Sequence, residues 1–158
     1  MIAQNLDAIS KQIGEATIAA GRDVSEITLI GVTKTKPLKM IKEAFEAGLT
    51  DVGENYVEDF SDKQTSYHPS GLNYHFIGRL PTKKVRKIVG KAHLIHSVGS
   101  VKLANKIDLV SSEEKIRQDI LTDLLLRRNK AYFFGQFHGT NRMNQVGLAY
   151  YLPGFFGR

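Results

Sequence analysis

The sequence predicts an α/β fold of repeated strand–helix units, and three observations predict it. Apolar, β-branched runs alternate with helix-patterned segments at a spacing of about 20–26 residues per unit, which suits short connections. The first run, residues 27–32, carries no charge, as expected of a strand buried on both faces. Glycines close several helix-patterned segments where the chain can turn with positive φ. Strict alternation implies a parallel sheet with right-handed crossovers. Two architectures satisfy it, a doubly wound open sheet and a (β/α)8 barrel, and in both a ligand sits at the carboxyl ends of the strands.

Taken in order, residues 1–21 read as an amphipathic helix, with Ile2, Leu6, Ile9, Ile13, Ala16 and Ala20 on one stripe and Gly21 as its C′ residue. A strand over 27–34 follows and Pro37 stops it. Residues 38–47 form a helix, with Leu38, Ile41, Ala44 and Phe45 on one face and the pairs Lys39–Glu43 and Lys42–Glu46 on the other. Residues 51–56 make a short strand running into a loop, 56–66 a polar helix, and 68–71 a turn. A strand over 73–78, a basic helix over 81–91, a strand over 92–98 and a helix over about 100–108 complete the run. A fifth strand starts near Ile120.

Composition narrows the classes. A length of 158 residues is that of one domain, and a hydrophobic fraction of 42% can supply a core. No segment approaches about 18 consecutive apolar residues, so no membrane span is expected. No basic start precedes an apolar block, so no secretory signal is expected. The chain has no cysteine, which excludes disulfides, thiolate metal sites and a cysteine nucleophile, and a cytoplasmic setting is expected. The net charge of +6 suits a phosphorylated ligand, nucleic acid, or simply a solvated surface.

The first strand carries the chemistry. Lys34 and Lys36 stand at its carboxyl end. Desolvation there lowers the pKa of an ammonium, and the resulting amine can attack an aldehyde; the plainer reading is two solvated lysines capping a strand. Alternation puts Ile30, Val32 and Lys34 on one face, while Lys36 adjoins Pro37 where the chain leaves the strand, so Lys34 is favoured as the inward amine. Glu54, Asn55 and Gly78 fall at the ends of the next two strands and gather with Lys34 at one mouth.

Other constellations carry less. His93-x-x-His96 falls on a strand, where residues three apart point to opposite faces, and His68, His75 and His138 lack ligand spacing, so no metal is expected. Asp51 and Glu54 are split between faces in the same way. Lys83, Lys84, Arg86, Lys87 and Lys91 form a basic run read as a solvated helix face, with nucleic acid as the alternative. No nucleotide or hydrolase fingerprint is present.

In these residues the chain resembles the pyridoxal phosphate homeostasis proteins, single-domain relatives of the N-terminal barrel of alanine racemase. The matching residues are Gly21-Arg22, Ile27-Thr-Leu29, Val32-Thr-Lys-Thr-Lys-Pro37, Glu43-Ala44, Glu46-Ala-Gly48, Gly53-Glu-Asn-Tyr56 and His75-Phe-Ile-Gly78, with Leu80 and Lys84 after them. The resemblance spans roughly residues 2–120. It implies a (β/α)8 TIM barrel in which Lys34 holds pyridoxal 5′-phosphate as an aldimine, Asn55 lies near the cofactor, and His75 and Gly78 shape the pocket. It implies a vitamin B6 carrier or regulator, not an enzyme, with the cofactor and the apoenzymes that use it as partners. Pro81 and Lys83 replace two amides common in the third motif, which removes hydrogen-bonding groups at the rim.

The second half departs from that pattern. Eight units need about 210 residues or more, against 158 here. From about residue 122 the strand–helix rhythm and the family motifs stop. The expectation is therefore a partial barrel of four to five units over residues 1–121, and a non-family tail over 122–158 from an out-of-frame or otherwise aberrant continuation. The resemblance places the phosphate-holding loops in the missing half, so cofactor retention is expected to be weak. Two exposed sheet edges favour association, and a monomer or a weak homo-oligomer is expected. Two other functions stay in play. A racemase-like enzyme needs a second acid/base that residues 1–120 do not evidently supply. A nucleic-acid module rests on charge alone.

Overall fold

The computed structural model describes residues 1–125, 132–137 and 149–150. Helix α1 (Ile2–Ala19) opens the chain. Gly21, with φ +66°, ends it, and the Arg22 amide bonds back to the Thr17 carbonyl. Then come β1 (Thr28–Val32), α2 (Leu38–Glu46), β2 (Asp51–Glu54), α3 (Val57–Ser66), β3 (Asn73–Phe76), β4 (Leu94–Val98), α4 (Val101–Glu113) and β5 (Asp119–Leu125). Between β3 and β4 the chain forms a 3₁₀ turn over Thr82–Lys87, shorter and tighter than the helix the basic run suggests.

Strands β1 to β5 are parallel, and each pairs with the strand before it in the chain. The sheet never reverses its order, so the doubly wound alternative falls and the progression is that of a barrel wall. Two further strands flank it. β6 (Tyr132–Phe137) runs antiparallel to β5, and β7 (Ala149–Tyr150) runs parallel to β1, giving the order β6-β5-β4-β3-β2-β1-β7. An antiparallel neighbour so soon after β5 breaks the strand–helix rhythm. The rest of 122–158 lies outside the described residues, His138 included.

Side-chain alternation splits the sheet into two unlike faces. Val52, Tyr74, Phe76, Ile95 and Ile120 face the helices and are buried against Ile41, Phe60, Val85, Leu103 and Ile107 in one apolar cluster. Phe60 meets Tyr74 and Phe76 edge-on, each at 6.0 Å between ring centres. The other face carries Ile30, Val32, Asp51, Gly53, Asn73, His75, Leu94 and His96, the positions that line a barrel interior. No helix of the described residues is long and apolar enough to cross a membrane.

The basic run is tied down locally. Lys84 and Lys87 pair with Glu58 at 2.7 and 3.6 Å, and Arg86 pairs with Glu113 at the end of α4 and with Glu114 just after it. These exposed pairs add little stability, but each sets an acidic neighbour beside part of the positive surface.

Candidate functional site

Strand β1 ends at Val32, two residues earlier than alternation suggests. The Thr33 amide still bonds the Gly53 carbonyl at 3.0 Å, and the Lys36 amide returns to the Thr33 carbonyl at 3.0 Å. Residues 33–36 are thus a tight turn, with Lys34 at its second position. Thr35 follows at φ +63°, a costly conformation for a β-branched residue. Strain of this kind persists only where the surroundings fix it.

The fixing groups lie behind the sheet. The Thr33 hydroxyl donates to Glu54 Oε1 at 2.6 Å. Lys63 of α3 donates to the same oxygen at 2.7 Å and to the Thr33 carbonyl at 2.8 Å. Glu54 is fully buried and the Lys63 side chain is 13% exposed. Burial pushes the Glu54 carboxyl above the usual carboxylate range, and the hydrogen bonds from Lys63 and Thr33 only partly oppose it. Glu54 Oε2 is buried with no hydrogen-bond partner among the described residues. Glu54 therefore does not join the mouth. Alternation places it with Thr33 and Val52 on the helix side, where it anchors the Lys34 turn.

Asn55 and Gly78 do come together at the carboxyl edge. A Cβ on Gly78 would stand 2.0 Å from the Asn55 carbonyl oxygen and 2.7 Å from its Cα, so only glycine lets the two backbones meet. Asn55 is half-buried, and Tyr56 beside it is 57% exposed. Lys34, half-buried, Asn55 and Gly78 follow β1, β2 and β3 respectively on one edge of the sheet.

His75 stands apart from that edge. Val32, Gly53 and His75 share one register level, below the Lys34 turn. His75 Nε2 lies 2.8 Å from Asp51 Oδ1, and its Nδ1 lies 3.1 Å from His96 Nε2. His93 packs its ring against His75 at 5.2 Å between centres. The alternation argument that separated His93 from His96 does not apply, because β4 begins only at Leu94 and His93 precedes it. Burial, with the nearby His75 and His93, pushes His96 down to about 4, which leaves it neutral at pH 7. Burial raises the Asp51 carboxyl, but hydrogen bonds from His75, Thr50 and Asn73 outweigh it and the net shift is downward.

Sequence reasoning missed Lys63, the place of His96 beside His75, and the grouping of Asp51 with His75. Lys63 left one signal: it lies at the end of the stripe Val57, Phe60, Lys63, where the apolar face of α3 breaks for one cation.

No protein-family model matches the chain. Among curated proteins, it is 41% identical over 106 residues to a pyridoxal phosphate homeostasis protein of Pseudomonas aeruginosa, covering 67% of this chain and 46% of the relative. It is 36% identical over 121 residues to the protein of that name from Aquifex aeolicus, covering 77% and 53%. Among solved structures, PipY of Synechococcus elongatus with pyridoxal phosphate bound aligns at TM-score 0.67 and 28% identity, over 84% of this chain and 58% of PipY. The form without pyridoxal phosphate aligns at TM-score 0.64 and 30% identity. The chain spans about half the length of the curated relatives it matches.

Proposed function

We propose that this chain, which is related to the pyridoxal phosphate homeostasis proteins over about half their length, binds pyridoxal 5′-phosphate through Lys34. One observation carries the reading: a primary amine on a strained, anchored turn at the carboxyl edge of a parallel sheet, with Asn55 and Gly78 on the neighbouring strand ends. Bound pyridoxal phosphate supplies an aldehyde that reacts with such an amine. The donors suit it. Lys34 offers the nucleophile, the Asn55 side chain a neutral hydrogen-bonding group at the rim, and Gly78 the absence of a side chain where Asn55 must pack. The Thr33–Glu54–Lys63 cluster holds the turn and so fixes where the amine emerges.

Within this reading the chain is a carrier or regulator of vitamin B6 and not an enzyme, and apoenzymes that take the cofactor are its partners. Residues 1–121 form the family-like unit in this reading. His75 contributes from beneath the pocket and not from its rim. The test is capture. The purified chain is mixed with pyridoxal phosphate and reduced with borohydride, and the modified peptide is mapped. The expected outcome is one saturable adduct on Lys34, absent in Lys34→Ala and retained in Lys36→Ala. An adduct on Lys36, or non-saturable labelling of many lysines, refutes the assignment.

A further inference from the structure

A second constellation lies below the Lys34 turn and shares only His75 with the cofactor reading. Asp51, His75 and His93 each offer one donor atom, and these atoms all lie within 4.8 Å of one another. Two imidazoles and a carboxylate are a donor set that borderline divalent ions of the zinc class take, with bonds of about 2.0–2.2 Å. We propose that Asp51, His75 and His93 form a binding site for a zinc-class divalent cation.

The inner two donors are already held by outer partners, as metal ligands usually are. The Thr50 hydroxyl donates to Asp51 Oδ2 at 2.6 Å, and Asn73 Nδ2 donates to Asp51 Oδ1 at 3.1 Å. His75 Nδ1 meets His96 Nε2 at 3.1 Å, which sets the ring plane and leaves Nε2 directed at Asp51. A single hydrogen bond now spans the 2.8 Å between His75 Nε2 and Asp51 Oδ1. An ion takes its place, the proton passes to water, and the gap opens to about 3.3 Å, the spacing that tetrahedral bonds of that length require. The third donor can follow that movement, because His93 is exposed while Asp51 and His75 are buried. Its exposure also provides the entry path and leaves a position for water. The site shares no ligand with Lys34, Asn55 or Gly78, so it stands whether or not the chain binds pyridoxal phosphate.

The test is titration of the untagged full chain with Zn²⁺ by calorimetry, and with Co²⁺ by visible absorption. One equivalent of Zn²⁺ is expected to bind, with Co²⁺ bands of low coordination number at the same stoichiometry. His93→Ala is the deciding variant, since an exposed residue can change without harm to the fold. It should weaken Zn²⁺ binding at least tenfold, while His68→Ala leaves it unchanged. Asp51→Asn should weaken binding similarly, with circular dichroism confirming its fold. Absence of saturable binding overturns the proposal and leaves a hydrogen-bonded Asp51–His75–His96 chain. Binding that survives His93→Ala but is lost with His138→Ala overturns it as well.

Discussion

Replacing Lys63 with methionine tests the anchoring of the Lys34 turn. The substitution keeps the apolar stem and removes the ammonium. Glu54 then keeps only the Thr33 hydroxyl on Oε1, and Oε2 has no partner already. Stripping one partner from a buried ion pair costs about 3–5 kcal/mol. The carboxyl can escape by taking a proton, which from an ordinary pKa of 4.5 costs about 3.4 kcal/mol at pH 7, since each pH unit is worth about 1.4 kcal/mol. Both routes converge on a loss of about 3 kcal/mol at pH 7. The second route also fixes the pH dependence. A folded-state carboxyl pKa raised above its unfolded value means the native state binds more protons, so the penalty grows with pH and fades on acidification. At pH 5 it should fall to about 1 kcal/mol. Urea denaturation of the wild type, Lys63→Met, Glu54→Gln and the double variant at both pH values reads each quantity. In the Lys63→Met background, Glu54→Gln should recover about 2 kcal/mol at pH 7, because a neutral amide no longer strands a charge. A loss under about 1 kcal/mol at pH 7, or a loss equal at the two pH values, refutes the argument that a buried charge sets the energetics here.

Two further outcomes follow from geometry. Gly78→Ala places a Cβ 2.0 Å from the Asn55 carbonyl oxygen and should cost about 3 kcal/mol or more; Gly14→Ala, in the interior of α1 with nothing within 4 Å, should gain about 0.5–1 kcal/mol, and paired thermal melts compare them. His96 has a folded pKa of about 4 against an ordinary 6.5, so its contribution is present above 6.5 and lost as pH falls toward 4, about 3 kcal/mol in all. Asp51, also shifted down, extends the loss below that range. His96→Gln in the presence of a chelator should flatten the stability difference between pH 7 and pH 4.5, read from urea midpoints; an unchanged slope counts against the burial of His96.

Much of the architecture was legible because it rests on period. Apolar runs and helical stripes placed β1 through α4 within a few residues, and Gly21 and Gly48 ended their helices with positive φ as expected. The choice between a barrel and a doubly wound sheet was not legible from period, because both use the same units; only strand order separates them. The basic helix expected over 81–91 is a 3₁₀ turn over Thr82–Lys87, because a run of basic residues marks a solvated stretch without setting its helical pitch. The place of Lys34 at the carboxyl edge of β1 was legible, but the turn that presents it there was not. Alternation assumed the strand ran through residue 34, whereas the turn begins at Thr33. Glu54 was assigned to the mouth from its place at a strand end, although the same alternation, applied to its side chain, puts it behind the sheet. The histidine cluster escaped because it depends on where β4 starts and on how β3 registers with β2 and β4. Neither is encoded in a short spacing. Residues 122–158 largely lie outside the described residues, so the expected tail boundary at about 121 stays a reading of the sequence.

The order of the strands has a consequence for how the chain is made. From β2 to β5, each strand pairs with the one synthesised just before it, and the intervening segment packs on the same outer face. Long-range closure is postponed while each addition is local, which favours rapid folding. During translation, the sheet can lengthen by one strand with each unit that leaves the ribosome, starting from the end that emerges first. The Lys34 turn then takes shape once β2 and α3 have docked, since Gly53, Glu54 and Lys63 complete its anchoring. A nascent chain arrested soon after Ser66 has cleared the ribosome would already hold every group that positions this lysine.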